Sequence, residues 1–173
     1  NLTVLAPSNL AFQQLLTGLI TKALIEAGLD AATAAAQAAA LASTPAVFTN
    51  PALAIQLSPQ NVAGIVVYHL LAQKTSSTTT PYQGIRAFSV NIPSTETTSL
   101  TLLNNAIATH PGVTLKATYG FAGVIAITAK GLINPTASNV QINPTPAPGG
   151  TSDQHYINGT LHKIDQVLIP RDL

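Results

Sequence analysis

The sequence predicts an α+β domain over residues 1–173, with a layer of helices followed by a sheet. Three observations carry that reading. Apolar residues recur at helical spacing through most of the first seventy positions. Later they alternate with polar residues or gather in short β-branched runs. A lone strand-like run, TVLA at residues 3–6, stands ahead of the helices with no partner close in sequence. It must join the late strands, which places the opening and closing segments side by side.

The elements can be justified in order. Pro7 ends the opening strand, and Ser8 is a good N-cap for a helix whose stripe comprises Leu10, Phe12, Leu15, Leu16, Leu19, Ile20, Leu24 and Ile25. Gly28 stops that helix, and Asp30 caps an alanine-rich one over 31–42. Residues 51–57 suggest a further short helix. Ser58-Pro59 starts another, with Val62, Ile65, Val66 and Leu70 on one side and an end near Gln73. Residues 75–80 form a polar linker closed by Pro81. Residues 84–92 alternate well enough for a strand, and 100–108 have helical spacing stopped by His110-Pro111-Gly112. Strands follow at 113–119 and 124–128, joined through residues 120–123, and at 139–142. A turn-rich loop, NPTPAPGG, covers 143–150. Asn158-Gly159 divides a final hairpin whose arms lie near Tyr156-Ile157 and over 161–169.

Composition limits the functions available. Charged residues make up only 8% of the chain, against about 25% in ordinary globular proteins. Thr, Ser, Asn and Gln must therefore cover the exterior. The net charge is +1, and the seven Lys and Arg are scattered singly, which excludes a phosphate-binding face and hence nucleic acid. Without cysteine there is no disulfide or thiolate–metal site. Charge poverty and abundant Thr tilt the reading toward export. No signal peptide is visible, and the best apolar run, 62–71, falls short of the roughly 20 residues a spanning helix needs.

Three segments carry a family resemblance. TVLAPSNLAF (3–12), Val67-Tyr68-His69-Leu70-Leu71 and INGTLHKIDQVLIP (157–170) resemble, in order and separation, the first signature segment, the tyrosine–histidine motif and the second signature segment of fasciclin-like domains. GIRAFSVNIP, HPGVTL and DQHYINGTLHKIDQVL are similar to versions from Bacteroidetes-type bacteria. The resemblance spans essentially the whole chain. It implies a β-wedge packed against an N-terminal helical layer, with the first strand joining the C-terminal strands. It also implies a non-catalytic adhesion module, extracellular or on the cell surface, whose lipid anchor would lie upstream. Its partner would be a surface or matrix protein or a glycan. The one or two helices that usually precede the first signature segment are missing here, and the bare helical side invites self-association. A module sequestering a small lipid or sugar in a crevice between helices and sheet is the alternative, and a structural spacer in a longer surface protein is another.

Tyr68 and His69 are the candidate partner-binding residues, because the family motif has been tied to adhesion. The competing role is architectural: a buried Tyr and a helix-end His satisfied internally, with the Ser8-Asn9 segment as the expected partner of His69. Asp153, His155, His162 and Asp165 lie close in sequence, but residues three apart on a strand face opposite ways, so no metal site is expected. Asp165 is expected to close a turn or to pair with Lys163 or a backbone amide. Ser8, Ser58 and Ser89 lack a nucleophile elbow, and Glu26 and Glu96 lie in separate contexts. No catalytic residue and no cofactor are assigned. Asn1-Leu2-Thr3 and Asn158-Gly159-Thr160 match the glycosylation sequon, and the turn explains Asn158 better. The polar loops at 75–81 and 136–152, with Tyr82, Tyr119 and Tyr156, are further surfaces suited to contact.

Overall fold

A computed structural model describes residues 1–140 and 151–171. The opening strand β1 (Leu2–Pro7) leads into α1 (Asn9–Glu26), capped by Ser8, whose side chain accepts from the Ala11 amide at 3.2 Å. Asp30 caps α2 (Ala31–Ala42) through the Ala32 and Thr33 amides. Two 3₁₀ turns, Pro45–Thr49 and Pro51–Leu53, lead to α3 (Pro59–Tyr68). Pro59 begins α3 as expected, although the Ser58 side chain makes no capping bond. The strands follow: β2 (Leu71–Lys74), β3 (Tyr82–Gly84), β4 (Thr97–Thr101), β5 (Val113–Gly120), β6 (Gly123–Lys130), β7 (Ser138–Val140), β8 (Gln154–Tyr156) and β9 (Gly159–Ile164).

The strands form one sheet in the order β1-β9-β7-β6-β5-β4-β2-β3, with β8 paired to β9 outside that path. Every pairing is antiparallel except β1 with β9, which is parallel from Leu2↔Gly159 to Pro7↔Ile164. The sheet curls until β1 meets the start of β2. The Leu5 amide donates to His69 O at 2.9 Å, and Val4 bridges Leu70. This is the expected α+β arrangement, with the first strand among the last. Alternation fills the interior: Val113, Leu115 and Ala117 of β5 face Ile127 and Ala129 of β6, with Leu5, Ile164 and Leu168 closing the core. A second, smaller core joins α1 and α2 through Leu16, Ile20, Ala38 and Ala42, sealed by Val47 and Leu53.

Several elements depart from the sequence reading. Helix α3 stops at Tyr68, because residues 71–74 pair with both β3 and β4. Its inner face is not the expected stripe: Val62 and Val66 point to solvent while Tyr68 is buried. Residues 84–92 are not a strand. After β3 ends at Gly84, side chains satisfy the backbone instead of a ladder. Thr3 Oγ1 donates to Ile85 O and accepts from the Ala87 amide, both at 2.7 Å, while Thr160 Oγ1 and His162 Nε2 both reach Ala87 O. A 3₁₀ turn, Ser89–Asn91, follows. Residues 100–108 are not a helix, because Leu100 and Thr101 are committed to pairing with β2 and leave only the 3₁₀ turn Leu102–Asn105. The tip of the last hairpin is Ile157-Asn158, since Tyr156 pairs with Gly159 inside the ladder. Of the expected strand at 139–142, residues 138–140 form β7; its end and the loop at 143–150 lie outside the described residues.

Gly159 permits the parallel joint. A Cβ there would strike the Leu2 carbonyl. Gly159→Ala is expected to cost about 1–3 kcal/mol, the usual penalty for overpacking. Gly18, inside α1 with open space around it, is expected to respond oppositely: Gly18→Ala should gain about 0.4–1 kcal/mol. Urea unfolding midpoints of the two variants check both signs.

Candidate functional site

Tyr68 and His69 lie at the end of α3, where the helix turns into β2, and both are buried. The Tyr68 hydroxyl donates to Gly112 O at 2.6 Å and accepts from the Leu132 amide at 3.0 Å. It thereby ties α3 to the loops before β5 and after β6. Burial pushes its pKa up, against a smaller opposing effect of the Leu132 amide. The His110 ring packs edge-on against it, with centroids 5.0 Å apart.

The partner of His69 is not the Ser8-Asn9 segment. Its Nε2 accepts from the Leu168 amide at 2.9 Å, so the ring proton sits on Nδ1, which donates to Ile65 O at 2.7 Å. Ser8 instead donates its amide to Ile164 O. The neutral imidazole therefore joins α3 to the closing segment beyond β9. Burial lowers the His69 pKa, outweighing the opposing pull of Ile65 O.

The same device recurs at two histidines that sequence reasoning did not place. His110 Nδ1 accepts from the Gly112 amide, so its Nε2 donates to Pro170 O, both at 3.0 Å. His162 Nδ1 accepts from the Asp153 amide at 3.3 Å, so its Nε2 donates to Ala87 O at 3.0 Å. Asp153 has a positive φ of 51°, and its carboxylate holds both the amide and the hydroxyl of Ser89. Among the described residues, only the ring of His162 has a carboxylate close by, Asp153 Oδ1 at 3.9 Å. The cluster of Asp153, His155, His162 and Asp165 is dispersed. His155 turns to Arg86 Nη1 at 3.1 Å. Asp165 accepts from Ser138 Oγ and from the amide and side chain of Asn139, each at 2.8 Å, and not from Lys163. Burial opposes its ionisation, but those donors prevail and hold its pKa below the usual carboxylate value. Among the described residues no three His, Asp or Glu stand where they could share a metal ion.

Several large apolar side chains that sequence reasoning passed over are exposed. Phe121, at the tip of the β5–β6 hairpin, is fully exposed, and Ile125 is 62% exposed beside Gly120. The Tyr119 hydroxyl fastens this hairpin to Val90 O at 3.1 Å and Ile92 O at 2.7 Å, which brings exposed Val90 alongside. At the other end of the same 3₁₀ turn, Phe88 leans on His155, and Arg86 Nη2 donates to Tyr156 O and Ile157 O. Ile157 is fully exposed at the second hairpin tip. Residues 86–92 are thus hydrogen-bonded to both hairpins that carry these exposed side chains. Apolar exposure gave no signal in the sequence, because Phe121 follows a glycine in a turn and reads as a hairpin filler. Of the other tyrosines singled out, Tyr82 is buried, with its hydroxyl on Ala108 O. Among the described residues, no helix is long and apolar enough to cross a membrane.

No family model and no curated protein matches the chain. Among solved structures it is similar to one titled "Novel Fold Revealed by the Structure of a FAS1 Domain Pair from the Insect Cell Adhesion Molecule Fasciclin I". The likeness has 17% identity and a TM-score of 0.47. It covers 97% of this chain, which spans 36% of that one.

Two measurements test the internal roles. Tyr68→Phe strips the Gly112 carbonyl and Leu132 amide of their shared partner and is expected to cost about 1–3 kcal/mol in urea unfolding. The second is the pH dependence of stability. His69 has a folded pKa below its ordinary 6.5, so the unfolded chain takes up its proton first. Its contribution is whole above 6.5 and is lost as pH falls below that toward the depressed value. Asp165, lowered from 3.8, contributes a second loss only below 3.8. The urea midpoint is expected to fall in these two steps, and His69→Gln is expected to remove the first alone.

Proposed function

We propose that the chain is a fasciclin-like, non-catalytic adhesion module, folded as one domain over residues 1–173 and displayed outside a bacterial cell. A lipid anchor upstream would hold it on the cell surface. Its partner is a surface or matrix protein, or a glycan with an apolar face. The ridge running from Ile157 through Val90 to Phe121 and Ile125 carries this reading. A group of exposed large apolar side chains on rigid hairpins is the kind of feature that marks interaction sites. Three further points support it. The three motif segments occur in order. The first and last of them form the paired strands β1 and β9. Scarce charge makes apolar and neutral hydrogen-bond contacts the available means of binding.

In this reading Tyr68 and His69 serve recognition indirectly. Each spends its polar atoms on backbone partners and offers no free surface, so the motif holds the scaffold that presents the ridge. A ligand-sequestering role has one observation in its favour. A crevice of about 480 Å³ lies between α1 and residues 165–169, lined by Leu15, Leu19 and Val167 with Gln14 and Asp165 among them.

A protein and glycan array probed with the wild type and with Phe121→Ser/Ile125→Ser tests the proposal. The double variant is expected to keep its urea midpoint within about 0.5 kcal/mol, as exposed substitutions do. It is expected to lose about 30-fold or more in affinity for the captured partner, as the loss of interface anchors does. Binding should change little between low and moderate salt, since few charges take part. Undiminished capture by the double variant would remove the ridge from the mechanism. Retained affinity for lipids or sugars alone, lost on Leu19→Trp, would favour the crevice.

A further inference from the structure

The segment after β9, residues 165–171, has a structural peculiarity that the adhesion reading does not use. It lies outside the strands and forms a wall of two separate crevices. One is the α1 crevice already described, walled by Val167 and Ile169. The other, of about 450 Å³, lies between α3 and residues 103–110, with Pro170 and Arg171 at its edge.

Within it, residues 167–170 are fastened to the body by a small set of groups. His69 Nε2 accepts from the Leu168 amide. His110 Nε2 donates to Pro170 O. Asn134 donates to Val167 O at 2.8 Å and accepts from the Ile169 amide at 2.7 Å, and the Ile133 amide reaches Ile169 O at 3.1 Å. Leu168, fully buried, is the apolar anchor. The two imidazoles thus grip Leu168 and Pro170, and the grip on Leu168 requires the neutral His69 ring. A proton on His69 Nε2 replaces an acceptor with a second donor, set 2.9 Å from the Leu168 N–H.

Among the described residues, no carboxylate stands ready to compensate a charge on His69. Helix α3, strand β1 and the turn Leu102–Asn105 contain no charged residue. The lysines of β2, β5 and β6 (Lys74, Lys116 and Lys130) are exposed, and α1 contributes only exposed Lys22 and Glu26. On the segment itself, Asp165 is occupied by Ser138 and Asn139, and Arg171 by Asn61. Tyr68, the remaining titratable neighbour, has its hydroxyl committed to Gly112 and Leu132.

We propose that residues 167–170 form an acid-released strap, held across the end of α3 by neutral His69 together with His110 and let go when His69 is protonated, so that both crevices widen while the sheet stays folded. The proton comes from solvent, and the freed Leu168 amide and His69 ring turn to water. The inference stands apart from the ridge and from any partner.

Amide hydrogen exchange on the intact chain between pH 7.5 and 5, with and without low urea, tests it. The amides of Leu168, Ile169 and Ile133 are expected to exchange through an opening insensitive to urea. Relative to their intrinsic rates, they should speed up about tenfold per pH unit once the solution is more acidic than the open-state His69 midpoint. The sheet amides of Ala117, which donates to Pro93 O, and of Ile127 should exchange only through urea-sensitive global unfolding. His69→Gln, which keeps an acceptor for Leu168 but cannot titrate, should abolish the pH dependence of the strap amides. Strap and sheet amides sharing one urea-sensitive opening would overturn the proposal. So would a pH dependence that survives in His69→Gln. If that variant fails to fold, the urea comparison on the wild type decides alone.

Discussion

The parallel ladder between β1 and β9 is the constraint on which the rest of the structure depends. It joins residues separated by nearly the whole chain, so it carries a large loop-closure cost that local contacts must already have offset. Once formed, it places Thr3 and Thr160 together beneath residues 85–87 and brings Leu5 to the His69 carbonyl. It also lets the segment beyond β9 run past the end of α3. The curl of the sheet, the course of residues 84–92 and the geometry around Tyr68 and His69 all follow from that one pairing.

A chain with so few charges must satisfy its buried polar groups by other means. Histidine, asparagine, tyrosine and threonine do so here, each bonding two backbone groups of which at least one is distant in sequence from it. Tyr68 spans Gly112 and Leu132, Asn134 spans Val167 and Ile169, and three imidazoles each accept one amide and donate to one carbonyl. Neutral bridges of this kind avoid the desolvation penalty of buried ions. They leave the exterior free for apolar contact, and the ridge from Ile157 to Phe121 uses that freedom.

Local signals were legible in the sequence. The Ser8 and Asp30 caps, the proline start of α3, the β5–β6 hairpin and the last hairpin all rest on residues acting on their immediate neighbours. What was hidden depends on distant partners. The alternation at 84–92 is real, but Thr3, Thr160 and Asp153 claim that backbone before a ladder can form. The helical spacing at 100–108 is overridden by pairing of Leu100 and Thr101 with a strand nearly thirty residues earlier. Tyr68 and His69 stood out as residues to watch, yet their partners, Gly112, Leu132, Ile65 and Leu168, include groups far along the chain that no local spacing reveals. Phe121 was missed because exposure is a property of the assembled surface.

The wide separation of β1 and β9 also bears on how the molecule is made. During synthesis from the N-terminus, β1 leaves the ribosome more than 150 residues ahead of the strand it needs. Helices α1 and α2 can dock on each other early, and β5 with β6 soon after, since both are sequence-adjacent pairs. Until residues 159–164 emerge, β1 is an orphan edge with apolar Leu2, Val4 and Leu5 and no charge to deter a wrong neighbour. A nascent chain of this design depends on being shielded, or kept dilute, until its final stretch is complete.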